Sequence, residues 1–310
     1  NIDVTVVNGE NSAVGNGILP MSADDIFTSG ADVVTGGNHT FRRREIYDEL
    51  ERNEFLLRPA NYGKEAPGRG YTIVDRGAYR VGVVNLCGTV FMEPLENPFI
   101  CIDRVLEKLK RETDIIIVDF HAEATAEKRA MGFYLDGRAS AVFGTHTHVP
   151  TADEQILPHG TGYITDVGMT GPKMSVLGVT PELAIEKMKT NLPVRFQNPD
   201  GEAELDGVIF TVSRDTAKTD RIQRRSLEKE TATVKKKIFS AICLLLSAVC
   251  IFSACRKDNG NGGSDEQTGS AASGDSTASS ANDLILPYSN NDSLNPFFAV
   301  GTENISLTDL

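Results

Sequence analysis

Four of the five histidines in this chain stand where an apolar run gives way to a loop, and that placement is the first sign of chemistry. The stretch Val142–Asp153, VFGTHTHVPTAD, sets the pattern. A short apolar run, Ser140–Phe143, reads as a buried strand ending in a glycine, and His146 and His148 follow two residues apart. In extended backbone, side chains at i and i+2 face the same way, so two imidazoles aim at one point, as a metal ion asks of its nitrogen ligands. Alone, a His-x-His pair is a weak signal, because most such histidines lie on a surface or cap a turn. Its company strengthens it: His39 ends Gly36-Gly37-Asn38-His39, His121 ends a run in IIIVDFHAE, and a further strand end, VTVVNGEN, carries Glu10 with Asn8 and Asn11.

Convergence of Glu10, Asn38, His121, His146 and His148 would mix carboxylate and amide oxygens with imidazole nitrogens. That mixture suits manganese, iron or zinc better than magnesium or calcium. Two ions about 3.5–4 Å apart, bridged by a carboxylate such as Glu10, would share a water, lower its pKa and clamp phosphate oxygens. Phosphoester hydrolysis is the natural reaction. Asn38 supplies a neutral oxygen, whereas His39 projects differently and is free to act as an acid toward the leaving oxygen. Asp119 and Glu123, two residues either side of His121, could orient an imidazole or serve ordinary turns and caps. Asp166, ahead of Gly168 and Gly171, positions substrate or holds its turn. His159, in Leu157-Pro158-His159-Gly160, reads as a plain loop residue. Gly15-Asn16-Gly17 lacks the lysine and spacing of a phosphate-binding loop, and no Ser/His/Asp or Cys/His nucleophile pattern stands out.

Elements of regular structure must bring these groups together. Strand-like runs begin with IDVTVV and recur at Asp32–Thr35, Arg80–Leu86, Asp114–Phe120, Ser140–Phe143, Gly162–Thr165 and Gly207–Val212. Amphipathic segments of helical period lie between several of them: Ser22–Ser29, Arg43–Asn53, Ile102–Arg111, Glu123–Tyr134 and Pro181–Thr190. Apolar faces such as Ile46, Tyr47 and Leu50, or Val105, Leu106 and Leu109, are those of helices packed on a sheet. The alternation predicts an α/β domain with its ligand groups at strand ends.

The composition changes sharply after about Glu228. Lys235-Lys236-Lys237 precedes the apolar run Ile238–Ala254, which ends in Phe252-Ser253-Ala254-Cys255 and reads as a secretory signal with a lipoprotein-type cysteine, Cys255 being the residue lipidated on export. Asn259–Ser280, rich in Gly, Ser, Asn, Asp and Thr, reads as a disordered linker. The stretch from Leu284 to Leu310 resembles the first mature residues of a solute-binding lipoprotein. The expected organisation is therefore an enzyme over 1–228, an apolar signal-like helix over 229–255, and a low-complexity linker with a fragment of a solute-binding protein over 256–310. An export signal belongs at an N-terminus, and Val234 stands where a GTG start codon would be read as valine. Two neighbouring reading frames joined in one chain is the expectation, with an enzyme that begins after its first strand.

At 310 residues and 40% apolar content the chain can bury a core of one or two domains. A net charge of −12 excludes a duplex-binding surface and leaves room for a small anion held by metal ions. Of five cysteines, Cys243, Cys250 and Cys255 lie in or beside the apolar run, and no disulfide framework or CxxC zinc pattern emerges.

The motifs Asn8-Gly9-Glu10-Asn11, Gly37-Asn38-His39, Leu57-Arg58-Pro59-Ala60-Asn61-Tyr62, Asp119-Phe120-His121-Ala122-Glu123-Ala124-Thr125, Gly144-Thr145-His146-Thr147-His148-Val149 and Thr165-Asp166-Val167-Gly168-Met169-Thr170-Gly171-Pro172 fall in one order. Together they resemble the YmdB family of bacterial calcineurin-like metallophosphoesterases over about residues 1–228. The resemblance implies a four-layer αββα sandwich and two divalent metal ions, iron or manganese with zinc as a possibility. It also implies hydrolysis of 2′,3′- or 3′,5′-cyclic nucleotides by attack of metal-bound hydroxide on phosphorus. Carried over position by position, Glu10 bridges the metals, and Asn38, His121 and His146 complete one site. His148 serves the other with Asn11, and His39 is the catalytic acid. The family opens with a strand ending in Gly-Asp-x-x-Gly, whose aspartate ligates that other metal; this chain starts after it, so one metal site should be incomplete and the neighbouring strand edges unpaired. Thr40-Phe41-Arg42-Arg43-Arg44 departs from the Trp-Asp of relatives and reads as a solvated helix start, or as a phosphate-steering run.

A small phosphodiester substrate, a homo-oligomer, no duplex nucleic acid and membrane contact only through 238–255 complete the expectation. So does a cytoplasmic place for the enzyme part beside an appended export signal. The alternatives are a 5′-nucleotidase-like phosphomonoesterase and an inactive metal-binding remnant fused to a lipid-anchored solute-binding protein.

Overall fold

The computed structural model describes residues 2–13, 15–229 and 250–254. In chain order the first elements are β1 (Val4–Asn8), α1 (Pro20–Thr28), β2 (Val33–Thr35), a 3-10 turn at Arg44–Ile46 running into α2 (Tyr47–Arg52), β3 (Tyr71–Asp75) and β4 (Arg80–Cys87). α3 (Pro98–Leu109), β5 (Ile116–His121), α4 (Thr125–Tyr134), β6 (Ala141–Thr145), β7 (Gln155–Ile156), β8 (Gly162–Ile164) and β9 (Thr170–Pro172) follow. The last are α5 (Pro181–Thr190), β10 (Ala203–Val212), β11 (Thr219–Lys229) and β12 (Cys250–Ala254).

Period-two alternation sorts the strands of one sheet, β3-β4-β5-β6-β8-β7, between two cores. Val81 and Val83 of β4, Ile117 of β5 and Ala141 and Phe143 of β6 join one apolar cluster, which also takes Val4 and Val6 of β1 and Val208 and Phe210 of β10. Val84 and Leu86, Ile116, Val118 and Phe120, and Val142 face the other way, onto α3 and α4. β4, β5, β6 and β8 are parallel neighbours, and continuous apolar runs are what burial on both faces requires. α3 starts where Asn97 accepts from the amides of Phe99 and Ile100 and Pro98 takes the first turn; it buries Cys101, Ile102, Val105, Leu106 and Leu109.

The second sheet runs β11-β10-β12-β1-β2, with β9 on β10. α1 contributes Ala23 and Ile26, and the region of α2 Ile46 and Leu50, to the cluster between and beside the sheets. Helices outside and two sheets within give the expected α/β layering. β1 and β2 are parallel, as are β4, β5 and β6, so Asn8, Thr35, Cys87, His121 and Thr145 end their strands on the side where α/β folds collect ligands.

Three expectations are corrected. The strand edges expected to be unpaired are not open: β12 lies between β1, antiparallel to it, and β10, parallel to it, with Val4 opposite Phe252 and Val208 opposite Cys250. Val4, Val6, Val208 and Phe210 are at most 1% exposed, and buried strands of this kind need a ladder partner on both sides. The apolar run expected as a signal-like helix is therefore strand over Cys250–Ala254. The remainder of that run, Cys255 and the linker and lipoprotein-like stretch over 256–310 lie outside the described residues. The helix expected over Arg43–Asn53 is split, with a 3-10 turn at Arg44–Ile46 before α2. Among the described residues no helix is long and apolar enough to cross a membrane, and Cys87 and Cys101 are buried free thiols.

A proline at Ile251, in the middle of a strand paired on both sides, removes a ladder hydrogen bond and should lower stability by about 3 kcal/mol or more in denaturant unfolding. Stability unchanged in Ile251→Pro would mean that β12 does not complete the sheet. A second expectation concerns Asp206 of β10, 3% exposed, whose Oδ2 is buried without a hydrogen-bond partner. Burial raises its carboxyl from 3.8 to about 6, so ionising it costs stability as pH rises through that interval. Asp206→Asn should match the parent near pH 4 and exceed it by on the order of 2 kcal/mol above pH 7. A pH-independent difference would contradict this assignment.

Candidate metal centre

The centre is built from four strand ends and the turns that follow them. After β1, Glu10 is held by its own amide on Asn8 Oδ1, 3.2 Å. Following β2, Gly36-Gly37 turns the chain so that Asn38 and His39 come under Glu10. A Cβ at Gly37 would collide with Glu10 Oε2 and His121 Nε2, so only glycine lets the backbone approach this closely. β5 ends on His121, and the turn after β6 brings in His146.

The arrangement around His121 follows from a count of protons. Thr145 has one hydroxyl proton and donates it to Asp119 Oδ1, 2.8 Å. Toward His121 Nδ1, 2.9 Å away, it must then accept, which puts the ring proton on Nδ1 and the lone pair on Nε2. That lone pair faces Asn38 Oδ1 at 3.0 Å, His146 Nδ1 at 3.0 Å and Glu10 Oε1 at 3.1 Å. His146 Nε2 lies 2.9 Å from Glu123 Oε2, so its proton sits there and its Nδ1 is also a lone pair. Four ligand atoms, His121 Nε2, His146 Nδ1, Asn38 Oδ1 and Glu10 Oε1, thus meet in a buried space, the last also accepting from Asn11. Ligand atoms at right angles on an ion bonded at about 2.1 Å are about 3 Å apart, so the set fits a divalent cation. Glu10, His121 and His146 offer donor atoms that lie within 4.8 Å of one another.

The carboxyls of the cluster are shifted by their surroundings. Burial pulls the Glu10 carboxyl upward, but His121 and His39 beside it outweigh burial and hold it well below the ordinary range. The proton donated by His146 holds Glu123 below its ordinary value against the pull of burial. Asp119, wholly buried, is raised by burial to about 6; His121 and the donors Thr35, Asn8 and Thr145 oppose the rise. Asn8 Nδ2 and Thr35 Oγ1 reach its Oδ2 at 3.0 and 2.5 Å.

His39 is not set apart, as its position in sequence suggested. Its Nδ1 is 3.0 Å from Asn11 Oδ1 and 3.2 Å from Glu10 Oε1, its amide donates to Glu10 Oε2 at 2.9 Å, and its Nε2 is 3.3 Å from Asn38 Nδ2. Asn11 Nδ2 donates to Glu10 Oε1 at 3.1 Å. His148 is 2% exposed and lies on the same turn, outside the tight group of Glu10, His121 and His146. Nor does extended backbone align the His-x-His pair. β6 ends at Thr145, and His146 and His148 have left-handed φ of 94° and 62°. Between them, Thr147 donates from its amide and hydroxyl to Asp166 Oδ2, 3.1 and 2.7 Å, and Lys128 Nζ reaches the same oxygen at 2.6 Å. Lys128 and Asp166 are at most 1% exposed. This pair holds a turn whose two left-handed histidines each cost about 1 kcal/mol.

Sequence reasoning missed Thr35, Thr145 and Lys128. Period and motif gave no signal for them, although a threonine ending a strand one residue before a ligand histidine could have been asked for its hydroxyl. His159 is exposed and paired to Asp136, away from the cluster. Arg44 begins the 3-10 turn and Arg43 Nε donates to Asn16 O, so the arginine run is a helix start.

Comparison with known proteins agrees with the geometry. A family model described as YmdB-like protein matches residues 1–225. A 2′,3′-cyclic-nucleotide 2′-phosphodiesterase of Bacillus subtilis is 48% identical over 220 residues, 71% of this chain and 83% of that protein. The crystal structure of a hypothetical protein from Thermus thermophilus superposes with a TM-score of 0.67 at 40% identity, covering 73% of this chain and 88% of the other. That of a novel phosphatase from Mycoplasma pneumoniae gives 0.66 at 32% identity, covering 74% and 83%.

Glu123→Gln should weaken metal binding by about 10–100-fold, because the amide no longer fixes the His146 tautomer. Metal content after dialysis against a graded chelator measures it; retention equal to the parent would remove Glu123 from the site.

Proposed function

The chain belongs to the YmdB-like family, and on that premise we propose that it is a metal-dependent phosphodiesterase hydrolysing 2′,3′- or 3′,5′-cyclic nucleotides. What supports this reading is the gathering of Asn38 Oδ1, His146 Nδ1 and Glu10 Oε1 within 3.1 Å of His121 Nε2 at a strand-end site, a donor set that suits a cation. Two divalent ions, when bound, supply Lewis acidity toward water and phosphate oxygens. The mixed set of imidazole, carboxylate and amide groups suits manganese, iron or zinc better than magnesium or calcium, and the family resemblance favours iron or manganese among them.

Asn38 Oδ1, His121 Nε2 and His146 Nδ1 hold the first ion with Glu10, whose carboxylate also faces His39 and Asn11 and is the group able to span two positions. Asn11 and His148 would serve the second position. Thr145 and Asp119 keep the His121 proton on Nδ1, and Glu123 keeps that of His146 on Nε2, so both inward nitrogens stay basic. His39, its Nδ1 against two acceptors, exchanges a proton with the leaving oxygen through Nε2. The buried carboxylate of Glu10 remains ionised beside these rings, so the site presents charge to metal and not to the substrate anion.

With Mn²⁺ present, turnover of a 2′,3′-cyclic nucleotide and of bis-p-nitrophenyl phosphate should exceed that of p-nitrophenyl phosphate. His121→Asn should reduce it by more than about 100-fold, beyond the cost of losing a ligand's outer partner. A clear preference for the monoester would replace this proposal with a phosphomonoesterase. Metal binding without turnover of any ester would identify an inactive remnant.

A further inference from the structure

Away from the metal-binding donors, the segment Leu57-Arg58-Pro59-Ala60-Asn61-Tyr62 carries a charge with no counter-charge. Arg58 is 7% exposed, and no carboxylate among the described residues lies within ion-pair distance of it. Its Nη1 donates to the carbonyls of Pro59 and Ala60 at 2.9 and 3.3 Å, and its Nε is buried without a partner. Burial lowers its pKa, a sign of a guanidinium held out of water. Leaving a buried ion unpaired costs several kcal/mol, so such a group is either compensated or kept for a ligand.

Arg58 lines a cavity of about 330 Å³ with Lys64, Tyr62, Asn61, Glu96 and Arg104. Arg104 is spent: it holds Glu96 through two bonds of 2.6 Å. Asn61 is spent too, donating to the carbonyls of Cys87 and Glu96. Lys64 is exposed and acts on Glu96 only from beyond salt-bridge distance, and the Tyr62 hydroxyl makes no hydrogen bond among the described residues. Tyr62 stays protonated, because burial and the carboxylates around it push its pKa up. What the cavity offers, beside the Glu96 carboxylate held by Arg104, is the positive charge of Arg58, an ammonium and a phenolic donor, the three kinds of group that take an oxyanion.

We propose that this cavity is an oxyanion site that binds phosphate, free or as the end group of a small monoester, through Arg58, Lys64 and Tyr62. None of its residues belongs to the metal-binding set, so the site does not depend on the proposed hydrolysis. It is nevertheless close by. The Tyr62 ring packs edge-on against Phe41 at 5.1 Å, two residues beyond His39, and Asn61 bonds both the amide and carbonyl of Cys87, which is paired with His121.

The test is titration of inorganic phosphate and of glycerol 3-phosphate into the full chain carrying His121→Asn, followed by calorimetry, so that the metal centre does not contribute. Saturable binding is expected there. Arg58→Met should weaken it at least about tenfold, the loss of a hydrogen bond to a charged group. Lys64→Ala, a change at an exposed position, and Tyr62→Phe should each weaken it several-fold, which keeps the proposal testable if the Arg58 variant does not fold. Binding of phosphate alone assigns the free ion, and tighter binding of the monoester assigns an end group. No saturable binding of either, or binding unchanged in Lys64→Ala and Tyr62→Phe, would overturn the proposal whatever the enzyme's turnover.

Discussion

Thr145 has a single hydroxyl proton, and its use in a hydrogen bond to Asp119 decides the state of the centre. Once it is given to a carboxylate, His121 must present its own proton to Thr145 and its lone pair inward. Asp119 is in turn held by Thr35 and Asn8 from β2 and β1, so both sheets take part in fixing one tautomer. Asn38 Oδ1, His146 Nδ1 and Glu10 Oε1 crowd together around His121 Nε2, and in a low dielectric that crowding of acceptor atoms is expensive. A cation removes it. The donors are thus arranged for an ion before one arrives, and little reorganisation is left to its binding.

The turn after β6 shows what such an arrangement costs. Two non-glycine residues in left-handed backbone are tolerated because Thr147, between them, is tied at amide and hydroxyl to a carboxylate already neutralised by a buried ammonium. Strain sits on the two histidines and compensation on residues that face away from the donors. The same division holds around Glu10, where the close approach permitted by Gly37 lets backbone replace bulk. The centre is rigid through its neighbours and not through its own bonds.

Much of this was legible in the residues. Strand positions followed from apolar runs, since parallel strands buried on both faces carry continuous Val and Ile, and β4, β5 and β6 fell within two residues of their expected limits. Glu10, Asn38, His121 and His146 were legible because groups that end strands in one sheet are gathered at one edge. β11 was not, because TDRIQRRSLEK is mostly exposed and its charges hide the strand period. Lys128 was illegible for the opposite reason: lysine on an amphipathic helix reads as solvent-facing, and only tertiary structure reveals the carboxylate that buries it. The geometry expected of the His-x-His pair was wrong, since a parity rule for extended chain says nothing about a left-handed turn.

β12 changes the order in which the domain can be assembled. Val4, near the start of the chain, pairs with Phe252, and every residue of β10 opposite β12 waits for the same late segment. Contacts so distant along the chain close slowly. During synthesis the sheet bearing Glu10 stays split down its middle until the segment around residue 254 has left the ribosome. The β4-β5-β6 sheet, by contrast, has all its ladder partners once residue 164 is out. His121 and Asp119 can be in place while Glu10 and Asn8 still rest on an unfinished sheet, so maturation of the centre is gated by the last strand to arrive.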